Sequence, residues 1–163
     1  MSRDNVTPFR RPPKRPPPRA GGGGLGLKSH RGKAVLVHLL ALAAFAAPFF
    51  VPGGFIGEFL RLGLAIAAGV IAYTNRAEAM PWAATHHEHV FRTVLFGFII
   101  LMVLSLPGLV IPSSLLGGVM AVYLQAAFWL GLVLLAWVLI RSGVGLVLAI
   151  MRRPIWRPRG WLL

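Results

Sequence analysis

Apolar residues gather into four long runs, Ala34–Val51, Phe55–Thr74, Val94–Ile111 and Leu115–Ile140, separated by short polar or Pro/Gly breaks. A bilayer core about 30 Å thick takes roughly 20 helical residues to cross. The run lengths match that, so the pattern predicts an all-α integral membrane bundle of four transmembrane helices. The first helix is expected from Lys33–Ala34 to the breakers Pro48 and Pro52, with Gly53–Gly54 as the turn. The second is the weakest, because its clean apolar part is only Leu62–Tyr73. To span, it must recruit Phe55–Leu60 with Glu58 and then Arg61, a pair three residues apart that can meet on one helical face. The third is expected from about Val90, with Arg92 in its first turn, and ends near Pro107 and Pro112. Ser113–Ser114 offers a turn and an N-cap for the fourth. Leu115–Ile140 would be roughly 39 Å long at 1.5 Å per residue, so it tilts or overhangs. After Arg141 the segment Gly143–Met151 is expected to continue near the interface.

Three regions follow: a basic tail over 1–33, a four-helix domain over 34–151 and a basic Trp/Arg tail over 152–163. The first contains Arg10–Arg19, rich in proline, and Gly21–Gly24. Proline blocks helix and donates no N–H, and the glycine run is a hinge, so the tail is expected to be disordered. Some 33 mostly polar residues before the first apolar run are too many for a signal-peptide n-region.

Charge then orients the bundle. The formal net charge is +13, with 17 Lys/Arg against four acidic residues. With both termini inside, nine Lys/Arg of the first tail, Arg76, Arg92 and the five from Arg141 onward share one side, and Arg61 stands alone on the other. Such a sixteen-to-one division predicts a multi-pass membrane protein with cytoplasmic termini. A soluble protein with this excess would point to nucleic acid. Here the positives flank apolar runs, so anionic lipid headgroups at both tails are the expected partners, and nucleic acid is not. Composition agrees with membrane residence: 56% of residues are hydrophobic, and mean hydropathy is +0.72. The absence of cysteine excludes disulfides, thiolate metal sites and a cysteine nucleophile.

Candidate chemistry is concentrated between the second and third runs, in Asn75, Arg76, Glu78, Trp82, Thr85, His86, His87, Glu88, His89 and Arg92. His86 and His89 can share a helical face, and His38 lies at the same level in this topology. Imidazoles so placed can hold zinc or iron. The plainer reading makes His38 a helix-bridging group and the others wetted interfacial residues. No phosphate loop, nucleophile elbow or paired carboxylates occur, so no enzyme, cofactor or metal is assigned. Gln125 is the main strong hydrogen-bonding side chain near mid-membrane and is expected to bridge helices. Small residues on the first two helices allow close packing or self-association.

Ile71-Ala72-Tyr73, Arg76, Glu78-Ala79, Trp82, Thr85-His86 and then Arg92-Thr93 resemble the loop of a family of small bacterial four-helix membrane proteins. That family has no assigned role and is distantly grouped with the chloroplast inner-envelope protein-import component. The resemblance covers about residues 34–151 and implies an integral inner-membrane protein in which His86, Arg92 and Thr93 carry whatever the family shares. His87-Glu88-His89 depart from its aromatic and basic pattern. The candidate interaction or structural site is therefore His86, Arg92, Thr93, Arg76, His38 and Gln125. The expected role is a non-enzymatic scaffold or partner-binding subunit, engaging a membrane protein or a second copy. The alternatives are a channel or translocation component, and a metal- or haem-binding protein using His38 and His86–His89.

Overall fold

A computed structural model describes residues 26–51, 54–110 and 113–161. The Pro-rich and Gly-rich parts of the N-terminal tail lie outside them. Among the described residues the regular elements are helices: α1 His30–Phe50, α2 Gly54–Thr74, α3 Pro81–Val110 and α4 Ser113–Ile150. Each is long and apolar enough to cross a bilayer. They run alternately up and down. One end of the bundle carries His30, Thr74, Pro81 and Ile150 and is called here the polar end.

α1 touches the other three helices, α3 joins α2 to α4, and α2 and α4 do not meet. The core follows helical spacing on every element. α1 contributes Val37, Ala41, Ala44 and Phe45, α2 contributes Ala65, Ala68 and Ala72, α3 Val90 and Val94, and α4 Leu134 and Val138. Alanine on α1 and α2 lets the axes approach, which is how helices gain contact where lipid removes the hydrophobic drive. At Gly97 the approach is close, since a Cβ there would lie 2.5 Å from Phe45 Cζ.

Boundaries differ from the sequence expectation in four places. Helix α1 begins at His30, because Ser29 caps it by accepting from the Gly32 N–H at 3.0 Å. The loop expected over 75–89 shrinks to 75–80, because Pro81 starts α3: its fixed φ suits a first helical position and its missing N–H would be unpaired there anyway. Arg92 therefore sits about three turns into α3, not in the first turn. Pro107 does not end α3, which continues to Val110. The Tyr123 hydroxyl of α4 donates to the Leu104 carbonyl beside the turn that Pro107 disrupts. Finally, α4 runs unbroken through Arg141 to Ile150, with one kink at Gly117, whose φ of +44° suits glycine.

From the level where Phe45 meets Gly97, α1 has five residues left and α3 has thirteen. The α3–α4 hairpin thus overhangs the α1–α2 hairpin by roughly 12 Å at 1.5 Å per residue. Near the shorter tip Glu58 and Arg61 form the expected ion pair.

Candidate functional site

Polar groups that sequence reading scattered along the chain converge at the polar end in three layers. The outermost is a hub around Glu78, in the short α2–α3 link. Its side chain is 6% exposed. Oε1 accepts from His30 Nδ1 at 2.6 Å and from Lys33 Nζ at 3.2 Å, both on the first turn of α1. Oε2 accepts from His87 Nε2 on α3 at 3.1 Å. Lys33 also donates to Asn75 Oδ1 at 2.9 Å. Burial pushes the Glu78 carboxyl up, but the hydrogen bonds and positive charge of His30 and Lys33 outweigh it and hold the group below its ordinary value. One carboxylate therefore pins α1, the link and α3 together.

The second layer is a set of fully buried histidines: His38 of α1 with His86, His87 and His89 of α3. Their hydrogen bonds fix their protons. His86 Nε2 lies 2.9 Å from the Arg153 carbonyl, which can only accept, so Nε2 carries hydrogen. In the neutral ring Nδ1 is then the acceptor, and His38 Nε2, 3.0 Å away, donates to it. His89 Nε2 donates to the Arg141 carbonyl at 3.3 Å, and His87 Nε2 to Glu78. By this chain the unpartnered nitrogens are Nδ1 of His38, His87 and His89. Each is a bare lone pair with no proton to satisfy, the less costly kind of buried orphan. The loop histidines are therefore buried helix-packing groups, not the wetted residues expected from the sequence.

The third layer is built on Arg141, 2% exposed in α4. Its Nε donates to Thr93 Oγ1 at 2.8 Å, and Thr93 passes a hydrogen bond to the His89 carbonyl at 2.7 Å. Its Nη1 donates to the Gly160 carbonyl at 2.7 Å. That last bond shows what the C-terminal segment does. After Arg152, in the left-handed region at φ 56°, the chain turns back over α3 and α4. Ile155 is buried, and its N–H donates to Thr85 Oγ1 at 3.1 Å. Trp137 Nε1 donates to the Trp161 carbonyl at 2.8 Å, and Trp161 stacks on Phe96 with centroids 5.0 Å apart. The segment thus packs on the bundle, with Trp156 fully outside.

The expected site residues thus divide. His38 and His86 meet directly, and Thr93 holds Arg141. Arg92 pairs with Glu88 one turn earlier at 2.6 Å, one of the arrangements its spacing allows. Arg76 stands apart on the α2–α3 face, over the rings of Tyr73 and Phe91 at 4.0 and 4.8 Å. Gln125 lies exposed on α4, and Tyr123 makes the interhelical bond expected of it. Sequence reasoning missed Arg141 and Glu78 as organising residues. A lone arginine inside an apolar stretch of α4 was the available signal, since ionisable groups within spans face the bundle interior.

Comparison with protein-family models, with curated proteins and with solved structures finds no match. Function must therefore be argued from the geometry. Among the described residues no three His, Asp or Glu side chains are grouped to hold a metal ion. The four histidines spend their N–H groups on one another, on Glu78 and on main-chain carbonyls. Between the helices, Val37 to Phe45 and their neighbours fill the seam with apolar side chains. A second feature lies on the flank: a groove of about 320 Å³ between α2 and α3, floored by Ala65 and Gly69 and walled by Leu62, Ile66, Leu95 and Phe98.

Proposed function

We propose that this chain is a multi-pass inner-membrane protein, with both termini cytoplasmic, that acts without catalysis as a partner-binding subunit within the bilayer. The observation that carries the reading is the α2–α3 groove. It is apolar, opens sideways, and has a floor of alanine and glycine, the residues that let a second helix come close. The polar end supports the same reading from the other direction. Its ionisable groups are engaged in fastening α1, α3, α4 and the C-terminal segment, which makes a rigid platform. The channel alternative would draw on Gln125, which faces outward, and on an apolar seam. The metal or haem alternative would draw on the Nδ1 lone pairs of His38, His87 and His89, which among the described residues are not grouped to hold an ion.

The test places a photo-crosslinking residue at Ile66, inside the groove, or at Val133 on the exposed face of α4, in the native membrane. A discrete protein adduct is expected from position 66 and not from 133. Gly69→Leu, which fills the groove from its floor, should abolish it, and its Cβ meets only Val94 Cγ1 at an ordinary 3.8 Å. An adduct of twice the chain's mass would identify a second copy. Lipid adducts alone, or a protein adduct that survives Gly69→Leu, would defeat the proposal.

A further inference from the structure

A small cleft on the α3–α4 side of the polar end gathers three guanidinium groups from three separate elements: Arg92 of α3, Arg141 of α4 and Arg159 of the C-terminal segment. Its volume is about 40 Å³, room for roughly three water molecules at 10–15 Å³ each. Aromatic side chains complete the wall, Phe96 and Trp137 from the helices and Trp161 from the segment. The arginines are graded in depth. Arg159 is 80% and Arg92 33% exposed, and Arg141 is buried with its guanidinium over Trp137 at 5.4 Å. Glu88 is shared, at 2.6 Å by Arg92 and at 3.7 Å by Arg159. Arg141 at the floor is held by the neutral Thr93 hydroxyl and Gly160 carbonyl, and the Glu88 carboxylate is shared by the outer two arginines. The three guanidiniums thus outnumber the acidic group beside them and suit an anion with several oxygens. Guanidinium presents a planar fork that matches phosphate oxygens, and such charge-assisted bonds are about twice as strong as neutral ones.

Depth identifies the carrier. Arg92 lies five residues beyond His87 on α3, roughly 7–8 Å further into the bundle than the Glu78 hub at 1.5 Å per residue. The polar layer of a bilayer leaflet is about 5–8 Å thick. With the Glu78 hub at the outer edge of that layer, the cleft lies at its inner boundary, within reach of a lipid phosphate, and Trp137, Trp161 and Phe96 lie beside glycerol and upper acyl chain. Basic pockets between helices on the cytoplasmic side are a known form of headgroup site.

We propose that the Arg92–Arg141–Arg159 cleft binds the phosphate of an anionic phospholipid in the adjoining leaflet. The binding reinforces the packing of the C-terminal segment on α3 and α4, because the same cleft contains Gly160 and Trp161. This site is independent of the α2–α3 groove, and its test does not involve that groove.

The full chain is purified in detergent and titrated, with thermal unfolding as readout, against phosphatidylglycerol, phosphatidylcholine and inorganic phosphate. Wild type is expected to be stabilised in a saturable way by phosphatidylglycerol, and far less by the other two. Arg159→Gln, at a largely exposed position, should raise the half-saturating phosphatidylglycerol concentration on the order of 10-fold, and Arg92→Gln by 10-fold or more. Arg157→Gln, exposed and outside the cleft, should behave as wild type. Equal responses of the Arg159 and Arg157 variants would overturn the site. Inorganic phosphate matching phosphatidylglycerol would overturn the assignment to lipid.

Discussion

Gly145 of α4 sits against the histidine layer so tightly that a single methyl group should disturb it. A Cβ built there would lie 2.1 Å from His38 Cε1 and 2.8 Å from both ring nitrogens. His38 is fully buried, hydrogen-bonded to His86, and flanked by the His89 ring with centroids 5.9 Å apart. It cannot swing aside without losing a partner. Gly145→Ala gains about 1 kcal/mol of helix propensity. Against this stand about 1–3 kcal/mol for overpacking and about 1 kcal/mol for the strained or broken His38–His86 bond. Gly143→Ala, two residues away with nothing within 4 Å, has only the propensity gain. Propensity cancels between the two variants, leaving a difference of about 2–4 kcal/mol. For a chain of this size that is roughly 4–16 °C in Tm, with Gly145→Ala the lower. Thermal unfolding followed by circular dichroism in detergent measures it directly. In the double variant with His38→Ala the alanine at 145 should become harmless, a coupling of about 2 kcal/mol. Equal melting of the Gly145→Ala and Gly143→Ala proteins would refute the close contact and the histidine layer argued from it.

Two further predictions concern charge. Glu78→Gln replaces one carboxylate oxygen by an N–H donor that faces the donors around it, and should cost on the order of 2 kcal/mol near neutrality. The Glu78 carboxyl is held below its ordinary value of about 4.5. Its stabilisation is therefore fully present above that pH and disappears as pH falls through the lowered folded value, so wild-type and Glu78→Gln stability curves should converge in acid. Curves that stay parallel down to acid pH would remove Glu78 from the role of hub. For topology, the cysteine-free chain accepts single reporters at Ser29, Ala79, Gly53 and Ser114. An impermeant thiol reagent on intact cells should label positions 53 and 114 only, and labelling at 29 or 79 alone would invert the sixteen-to-one argument.

The four helices were legible because length and apolarity are properties of contiguous residues. Ala34–Val51 and Phe55–Thr74 match α1 and α2 to within a few positions. The start of α3 was not legible, and the reason is specific. Buried positions on its first turns are Ala83, His86, His87, His89, Val90, Thr93 and Val94, one helical face. The spacing was present in the sequence, but hydropathy scores His and Thr as polar, so the face read as a loop. What makes those side chains apolar in practice is their partners. Arg153 for His86 and Arg141 for Thr93 are supplied from 67 and 48 residues away.

The same logic explains why Arg141 and Gln125 exchanged their expected places. Arg141 looked like a boundary because an unpaired guanidinium is costly inside a span. Thr93 and the Gly160 carbonyl meet it, and the helix continues past it to Ile150. Gln125 looked like a bridge because one amide in an apolar stretch wants a partner. It lies on the overhanging α3–α4 hairpin, beyond the level at which α1 ends, and there the bridge is made by Tyr123 to a carbonyl near Pro107. In each case the side chain's own chemistry was read correctly. Its position in the bundle was decided by a group that local pattern does not reach: a backbone carbonyl of the returning C-terminal segment for Arg141, and the Leu104 carbonyl of α3, met by Tyr123, in the Gln125 region. The polar end is therefore a tertiary construction. Its stability should depend as much on residues 153–161, whose composition suggested only a basic tail, as on the histidines that drew attention first.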